Sequence, residues 1–379
     1  MDFSDTPEEA AFRAELRQWI ADRQPFAALP DGDDERMARL TEFQRAMYDG
    51  GWAAVSFPEE YGGRGLGPVY EAIVLDELGS AGLPSAWHYG YIARVILLYG
   101  TEEQRHRFLT PAFRGDERWC QGFSEPDAGS DLASLTTRAE LVGDDYVVNG
   151  QKVWTSEAHW ADWCLLLARS EADAPNHQAM SCFLVPMTTP GLTVRPFRQM
   201  TGSLEFAEVF FDDVHIPTAN RVGAAGDGWR IAMSTVSFER GPADVGFLAD
   251  LRRSLQSLTT AAADGAARGA IRTDGDLRAR LARSTVDVEV LRAHILRTLS
   301  RRAKGQGSEV EVSVDKLLMV RTEQALAHTA MDVLGAGPLV GDRPDELHQY
   351  LWSRAASVYG GSQEIQRTIV ATRLLGLPR

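Results

Sequence analysis

The chain has few cysteines, three in 379 residues, at Cys120, Cys164 and Cys182 and without a CxxC pair. That spacing excludes a disulfide framework and offers no thiolate zinc site. Eight histidines occur, but none at the HExxH spacing that puts two imidazoles on one helix face, so no metal is expected. Long hydrophobic runs are also missing. None approaches the roughly 18 residues of a membrane span, so no membrane is expected as a partner. Positive charge is short, with 39 Lys and Arg against 53 Asp and Glu and a formal net charge of −14. A nucleic-acid face normally shows a basic stripe, so no nucleic acid is expected either. The opening stretch, MDFSDTPEEAAFRAEL, is acidic and amphipathic, unlike a signal or transit peptide. A cytoplasmic protein is expected.

What is present suits a large folded protein. Hydrophobic residues make up 44% and charged residues 24%, and the length leaves room for two or three domains with a sizeable core. Residues 1–116 read as an N-terminal α-helical domain. Thr6-Pro7-Glu8-Glu9 and Thr101-Glu102-Glu103-Gln104 are capping boxes, and further helices are expected at 33–49, 68–79, 84–99 and 102–113. The glycine-rich run from Pro58 to Gly67 lacks the GxGxxG spacing of a dinucleotide cradle and reads as a connecting loop. Trp87-His88-Tyr89 opens a helix, and aromatics there suit either core or a cavity lining.

The texture changes over 117–222. Short Val-, Leu- and Phe-rich segments at 145–154, 162–169, 180–187, 192–198 and 207–212 are punctuated by turn residues, which predicts a middle antiparallel β-barrel domain. Helical periodicity returns over 223–379, in segments near 228–264, 275–304, 311–334, 345–357 and 361–375. Joined by short loops, they predict a C-terminal helical bundle, for an α+β fold overall.

Two separated stretches carry most of the chemistry. Cys120 to Asp131, CQGFSEPDAGSD, reads as a short apolar strand entering a Pro/Asp/Gly/Ser loop. Asn149 to Ser156, NGQKVWTS, reads as an Asn-Gly hairpin turn followed by a strand that ends in Trp and two hydroxyls. Together they place Ser124, Ser156 and the Trp154 ring at nearby strand ends, a combination that suits a planar heteroaromatic cofactor.

These stretches resemble the flavin-binding middle domain of the acyl-CoA dehydrogenases, and the resemblance runs from about residue 5 to the C-terminus. It implies an N-terminal helical domain, a middle β-barrel and a C-terminal four-helix bundle. It further implies that Phe123, Ser124, Trp154 and Ser156 contact the isoalloxazine ring of FAD and that Ser130 contacts the acyl-CoA. The implied reaction removes the α-hydrogen of an acyl thioester as a proton and the β-hydrogen as a hydride to flavin N5. Electrons then pass to an electron-transferring flavoprotein. Such chemistry needs a carboxylate base over the α-carbon, donors on the thioester oxygen and a dry slot.

The base is where this sequence departs from the family's commonest pattern. Tyr359-Gly360-Gly361-Ser362-Gln363-Glu364-Ile365-Gln366-Arg367 resembles YEGTSEIQR, whose second residue is often the base, but that position is Gly360 here. Isovaleryl- and long-chain-type members carry the carboxylate just before an arginine on a bundle helix. Phe238-Glu239-Arg240 has that arrangement and makes Glu239 the candidate base, with Glu364 second. A helical glutamate is ordinarily solvated or ion-paired. Glu239 stands out because it follows apolar positions at Ile231, Met233, Val236 and Phe238, and because Gly241-Pro242 breaks the helix just beyond it. Arg240 suits a substrate contact or a bundle salt bridge equally well. Gly360 could donate its N–H to the thioester oxygen, and its missing side chain clears volume for a branched or cyclic acyl group.

The resemblance also assigns residues to the rest of FAD. Arg278 loosely matches a diphosphate-binding arginine that a neighbouring subunit supplies, Gly335 lies in a cofactor loop, and Ser362 and Glu364 match positions that reach FAD. Asp332 stands where the family has glutamine and would bring a negative charge to that edge. A site shared between subunits implies a homodimer or tetramer, or a hetero-oligomer. Two other readings stay open: a structural or half-site subunit of a mixed tetramer, and a flavin oxidase on the same fold.

Overall fold

The computed structural model describes residues 4–23, 29–30, 32–84, 90–238, 242–267, 275–307 and 310–378. Glu239, Arg240 and the Trp87-His88-Tyr89 run lie outside the described residues. The chain forms two compact units: one of Met1–Arg39, Gly65–Ser85 and Arg240–Arg379, the other of Leu40–Arg64 and Ala86–Glu239.

Helices α1 (Pro7–Ala21), α2 (Asp33–Asp49), α3 (Pro68–Ala81), α4 (Gly90–Tyr99) and α5 (Glu102–Arg114) come first. Both expected capping boxes form. Thr6 Oγ1 accepts from Glu9 N and Glu9 returns a carboxylate to Thr6 N, and Thr101 and Gln104 repeat the exchange. Each box satisfies two N–H groups that a helix start would otherwise leave orphaned.

The second unit holds the sheet: β1 (Trp119–Gly122), β2 (Arg138–Val142), β3 (Asp145–Ser156), β4 (Trp163–Arg169), β5 (Met180–Pro186), β6 (Leu192–Phe197), β7 (Phe206–Pro217) and β8 (Arg221–Val222). Its order is β6-β7-β3-β2-β4-β5-β8, mainly antiparallel, with β1 and one position of β2 running parallel to β4. One core lies among β3, β4, β5 and β7, around Val148, Leu166, Phe183 and Val209. A second joins the sheet to α4, α5 and α6 (Gly228–Phe238) through Ile96, Phe113, Leu165 and Ile231.

One sequence expectation fails here. Asn149-Gly150 is not a hairpin turn but lies inside β3. The turn comes earlier, at Gly143 between β2 and β3, with φ +64°. Gly150 is required for a different reason. At φ +151° it faces Thr137 so closely that a Cβ would lie 2.5 Å from Oγ1 and 2.7 Å from Cα. Asn149 instead clasps β7, donating to Asp213 Oδ1 and accepting from Asp213 N, both at 2.9 Å.

In the other unit, the long helices α7 (Pro242–Ala267), α8 (Gly275–Ala303) and α9 (Glu311–Leu334) pack together, and α3 packs on α7. Their core runs through Val245, Leu248, Leu291, Ile295 and Leu326. Arg13 ties α1 to α3 by bonds of 2.8 Å to Asp76 and 2.6 Å to Glu77. Helices α10 (Pro344–Trp352) and α11 (Gln363–Ile369) follow, the latter running into one π-turn, Val370–Leu374. Helices α6 and α7 fill the described part of the stretch expected to be helical over 228–264, and Gly241, where a break is expected, lies outside the described residues. No described helix is long and apolar enough to cross a membrane, and the described residues contain no His, Cys, Asp and Glu cluster able to hold a metal.

Candidate active site

The sequence-derived site residues divide between the units. Phe123, Ser124, Ser130, Trp154 and Ser156 belong to the sheet unit; Arg278, Gly335, Gly360, Ser362 and Glu364 belong to the helical one.

On the sheet unit, the two sequence stretches meet through the backbone. Val153 N donates to Ser124 O at 2.9 Å, so Ser124 and Trp154 are held side by side. After an earlier register shift between Val148 and Gly150, pairing of β3 with β7 runs regularly from Gly150↔Phe211 to Lys152↔Val209 and resumes at Thr155↔Ala207. Three steps on β3 therefore oppose two on β7, which is a β-bulge, and bulges re-aim side chains. Trp154 sits in the bulge at φ +59°, a conformation that costs a non-glycine residue about 1 kcal/mol or more. The consequence is exposure. Thr155 is 0% exposed while the Trp154 indole is 59% exposed, its edge braced by Phe197 at 5.1 Å and Phe206 at 5.7 Å. Ser156 and Ser130 are exposed, Ser124 is half-buried and Phe123 is buried.

Beneath this surface is a pair that the sequence reading passed over. Lys152, 0% exposed, donates from Nζ to Phe123 O at 3.0 Å and to Glu125 Oε1 at 2.8 Å. Glu125 also accepts from Thr137 N at 2.9 Å and from Thr136 N and Oγ1 at 2.7 and 2.8 Å. Burial would raise the Glu125 carboxyl, but Lys152 and the threonine donors win and hold it at about 2. Burial pushes Lys152 below its ordinary value, against the pull of Glu125.

On the helical unit, Gly360 and Gly361 adopt φ +62° and +88°. Their carbonyls accept from the buried Gln366 Nε2 at 3.3 and 3.4 Å, a brace also missed from the sequence. Ser362 caps α11, accepting from Ile365 N at 3.3 Å, and Glu364 is exposed beside Arg367. Just before Gly360, the Tyr359 ring lies 3.9 Å from Lys316 Nζ. On the Lys316 face of α9, burial lifts the Glu323 carboxyl to about 7, against Lys316 and Arg354. Arg278 is exposed at the start of α8, and Gly335 ends α9 at φ +61° with open space around it. Asp332, the charge that looked out of place in the sequence, is paired with Arg280. The three cysteines are buried. Hydrogen bonding with Cys164 and burial push up the Cys120 thiol, and burial pushes up Cys182, so neither is a reactive thiolate.

Comparison with known proteins decides the family. Residues 6–116, 120–214 and 226–375 match the N-terminal, middle and C-terminal domains of acyl-CoA dehydrogenase. The chain belongs to the acyl-CoA dehydrogenase family. These are flavin-dependent oxidoreductases that act on CH–CH bonds, and the expected helical, sheet, helical order is theirs. Acyl-CoA dehydrogenase IpdE1 of Mycolicibacterium smegmatis is 40% identical, with 97% of each chain covered. Among solved structures, the Tcur3481-Tcur3483 steroid ACAD superposes with a TM-score of 0.85 at 26% identity over the whole of both chains. The ChsE4-ChsE5 complex of Mycobacterium tuberculosis gives 0.82 at 30% identity, again over both whole chains.

Proposed function

We propose that this acyl-CoA dehydrogenase uses FAD to oxidise the Cα–Cβ bond of a bulky, ring-bearing acyl-CoA, with Glu239 as the base. The observation that carries the cofactor assignment is Trp154, turned out of the sheet by a bulge beside Ser124 and Ser156. A bare indole flanked by hydroxyls fits a planar heteroaromatic ring. Phe123, Ser124, Trp154 and Ser156 would hold the isoalloxazine. Arg278, Gly335, Ser362 and Glu364 would serve the diphosphate and adenosine end. Pairing of Asp332 with Arg280 relieves the objection that a bare carboxylate would repel that anion. FAD, when bound, supplies the hydride acceptor.

The chain's own groups do the rest. Glu239 takes the α-proton, Gly360 N–H and other donors steady the thioester oxygen, and Ser130 and Arg240 hold the substrate. A glycine at position 360 leaves room beside the carbonyl, and the relative described as a steroid ACAD favours a fused-ring acyl group. Electrons leave to an electron-transferring flavoprotein in the cytoplasm. The complex formed by two ChsE relatives favours assembly with a second copy or a related subunit. Leu339, Val340, Val358 and Leu375, each more than 60% exposed, give apolar surface for it.

The test is anaerobic bleaching of the purified protein with straight, branched and ring-bearing acyl-CoAs. Ring-bearing thioesters are expected to bleach it fastest. Glu239→Gln should keep FAD yet bleach with none, and unimpaired turnover by that variant would remove the base assignment.

A further inference from the structure

We infer that the buried Lys152–Glu125 pair is a positioning device for the flavin, fixing the backbone from which Ser124 and Trp154 meet the cofactor. The inference rests on the reading of those two residues as cofactor wall. Neither member of the pair can touch the cofactor itself, since their side chains are 0% and 4% exposed. They act through what they hold.

Three attachments show how. First, Lys152 Nζ binds the carbonyl of Phe123, the residue before Ser124, and so fixes the peptide that orients it. Second, Lys152 is the last regularly paired residue of β3 before the bulge. The ammonium therefore anchors the strand where the extra residue enters and Trp154 turns outward. Third, Glu125 takes both backbone N–H groups of Thr136 and Thr137 and the Thr136 hydroxyl, closing the loop that carries Ser130 into a ring. A backbone bridge between Glu125 and Ala128 tightens the same loop.

An ion pair is an uneconomical way to fill a core, because well-packed apolar side chains of similar volume are often as stabilising or more so. What those side chains cannot do is bind a main-chain carbonyl and a carboxylate at once. The chemistry present is that of a directional clamp, and it lies under the two sequence stretches at the one place where they join.

The experiment compares Lys152→Met, Glu125→Gln and the double variant, each as FAD-free and FAD-loaded protein. Either single change leaves one buried charge without its counter-ion and is expected to lower the melting temperature. The double change removes both charges, so the FAD-free protein should melt close to the parent. With the Phe123 carbonyl unanchored, its FAD dissociation constant should still rise at least about tenfold. The visible circular dichroism of its bound flavin should change. A stable double variant with parental FAD affinity and dichroism would overturn the inference.

Should the double variant not fold, Thr136→Val loosens the same clamp by one hydroxyl. It is expected to weaken FAD about fivefold, with a dichroism change of the same kind. No change would overturn the inference. A Trp154→Ala control separates the possible failures. Loss of FAD affinity there, with none from the clamp variants, refutes positioning alone; parental affinity in both refutes the cofactor wall as well.

Discussion

Replacing Glu323 with glutamine should alter stability in a way that depends on pH. Glu323 follows Lys316 by seven residues on α9, two helical turns along the same face. Burial lifts its carboxyl from 4.5 to about 7, although Lys316 and Arg354 pull the other way. The folded value is the higher one, so on raising pH the unfolded chain releases its proton first. Stability therefore falls as pH rises from about 4.5 to about 7, and the full deficit applies above that. A displacement of this size corresponds to roughly 3 kcal/mol. Glutamine cannot ionise. Glu323→Gln should thus lie within about 1 kcal/mol of the parent at pH 5 and exceed it by up to roughly 3 kcal/mol at pH 8. Urea unfolding of the FAD-free protein at the two pH values measures this directly. An equal difference at both, or a variant less stable at pH 8, would refute the argument. The outcome bears on function because Tyr359, whose ring covers Lys316, leads directly into Gly360 and Gly361.

Three further outcomes follow from the geometry. Gly150→Ala puts a methyl group against Thr137 in a strand at φ +151°, and should cost about 3 kcal/mol in a thermal or urea melt; an unchanged midpoint would mean that β2 and β3 separate more easily than their register suggests. Arg278→Ala should lower FAD occupancy of the purified protein with little change in melting temperature, since Arg278 is exposed, and full occupancy would put the diphosphate elsewhere. By contrast, Arg280→Ala removes only solvent-screened pairs with Asp276 and Asp332 and should leave the melting temperature nearly unchanged.

How legible these features were depends on how local their causes are. The capping boxes at Thr6 and Thr101 form as read, because all their partners lie within three residues. The strand segments at 145–154, 162–169, 180–187 and 192–198 also read correctly, since apolar runs bounded by turn residues mark them. Asn149-Gly150 was misread because its tolerance of positive φ serves a tight turn and a crowded strand alike. What decides between them is Thr137, twelve residues before Asn149, and Asp213, on another strand. Glu125 and Lys152 were passed over because charged residues are mostly exposed, and nothing local pairs residues 27 apart. A signal was nonetheless available. Tyr146 and Val148 are buried on β3, and a period of two puts Lys152 on their face, where a lysine needs a buried partner.

That same period exposes why the tryptophan matters. Continued strictly from Tyr146, Val148 and Lys152, it would bury Trp154 and turn Thr155 outward. The protein does the reverse, with Thr155 at 0% exposure and Trp154 at 59%. One inserted residue accounts for the inversion, and it comes at the cost of a left-handed backbone on a bulky side chain and a large apolar ring left in solvent. Both are unfavourable for folding alone, and a regular strand would avoid both. Their presence in one residue, two positions after an internally clamped lysine, is the physical reason to place a flat ligand on that indole rather than to treat it as a stray surface aromatic.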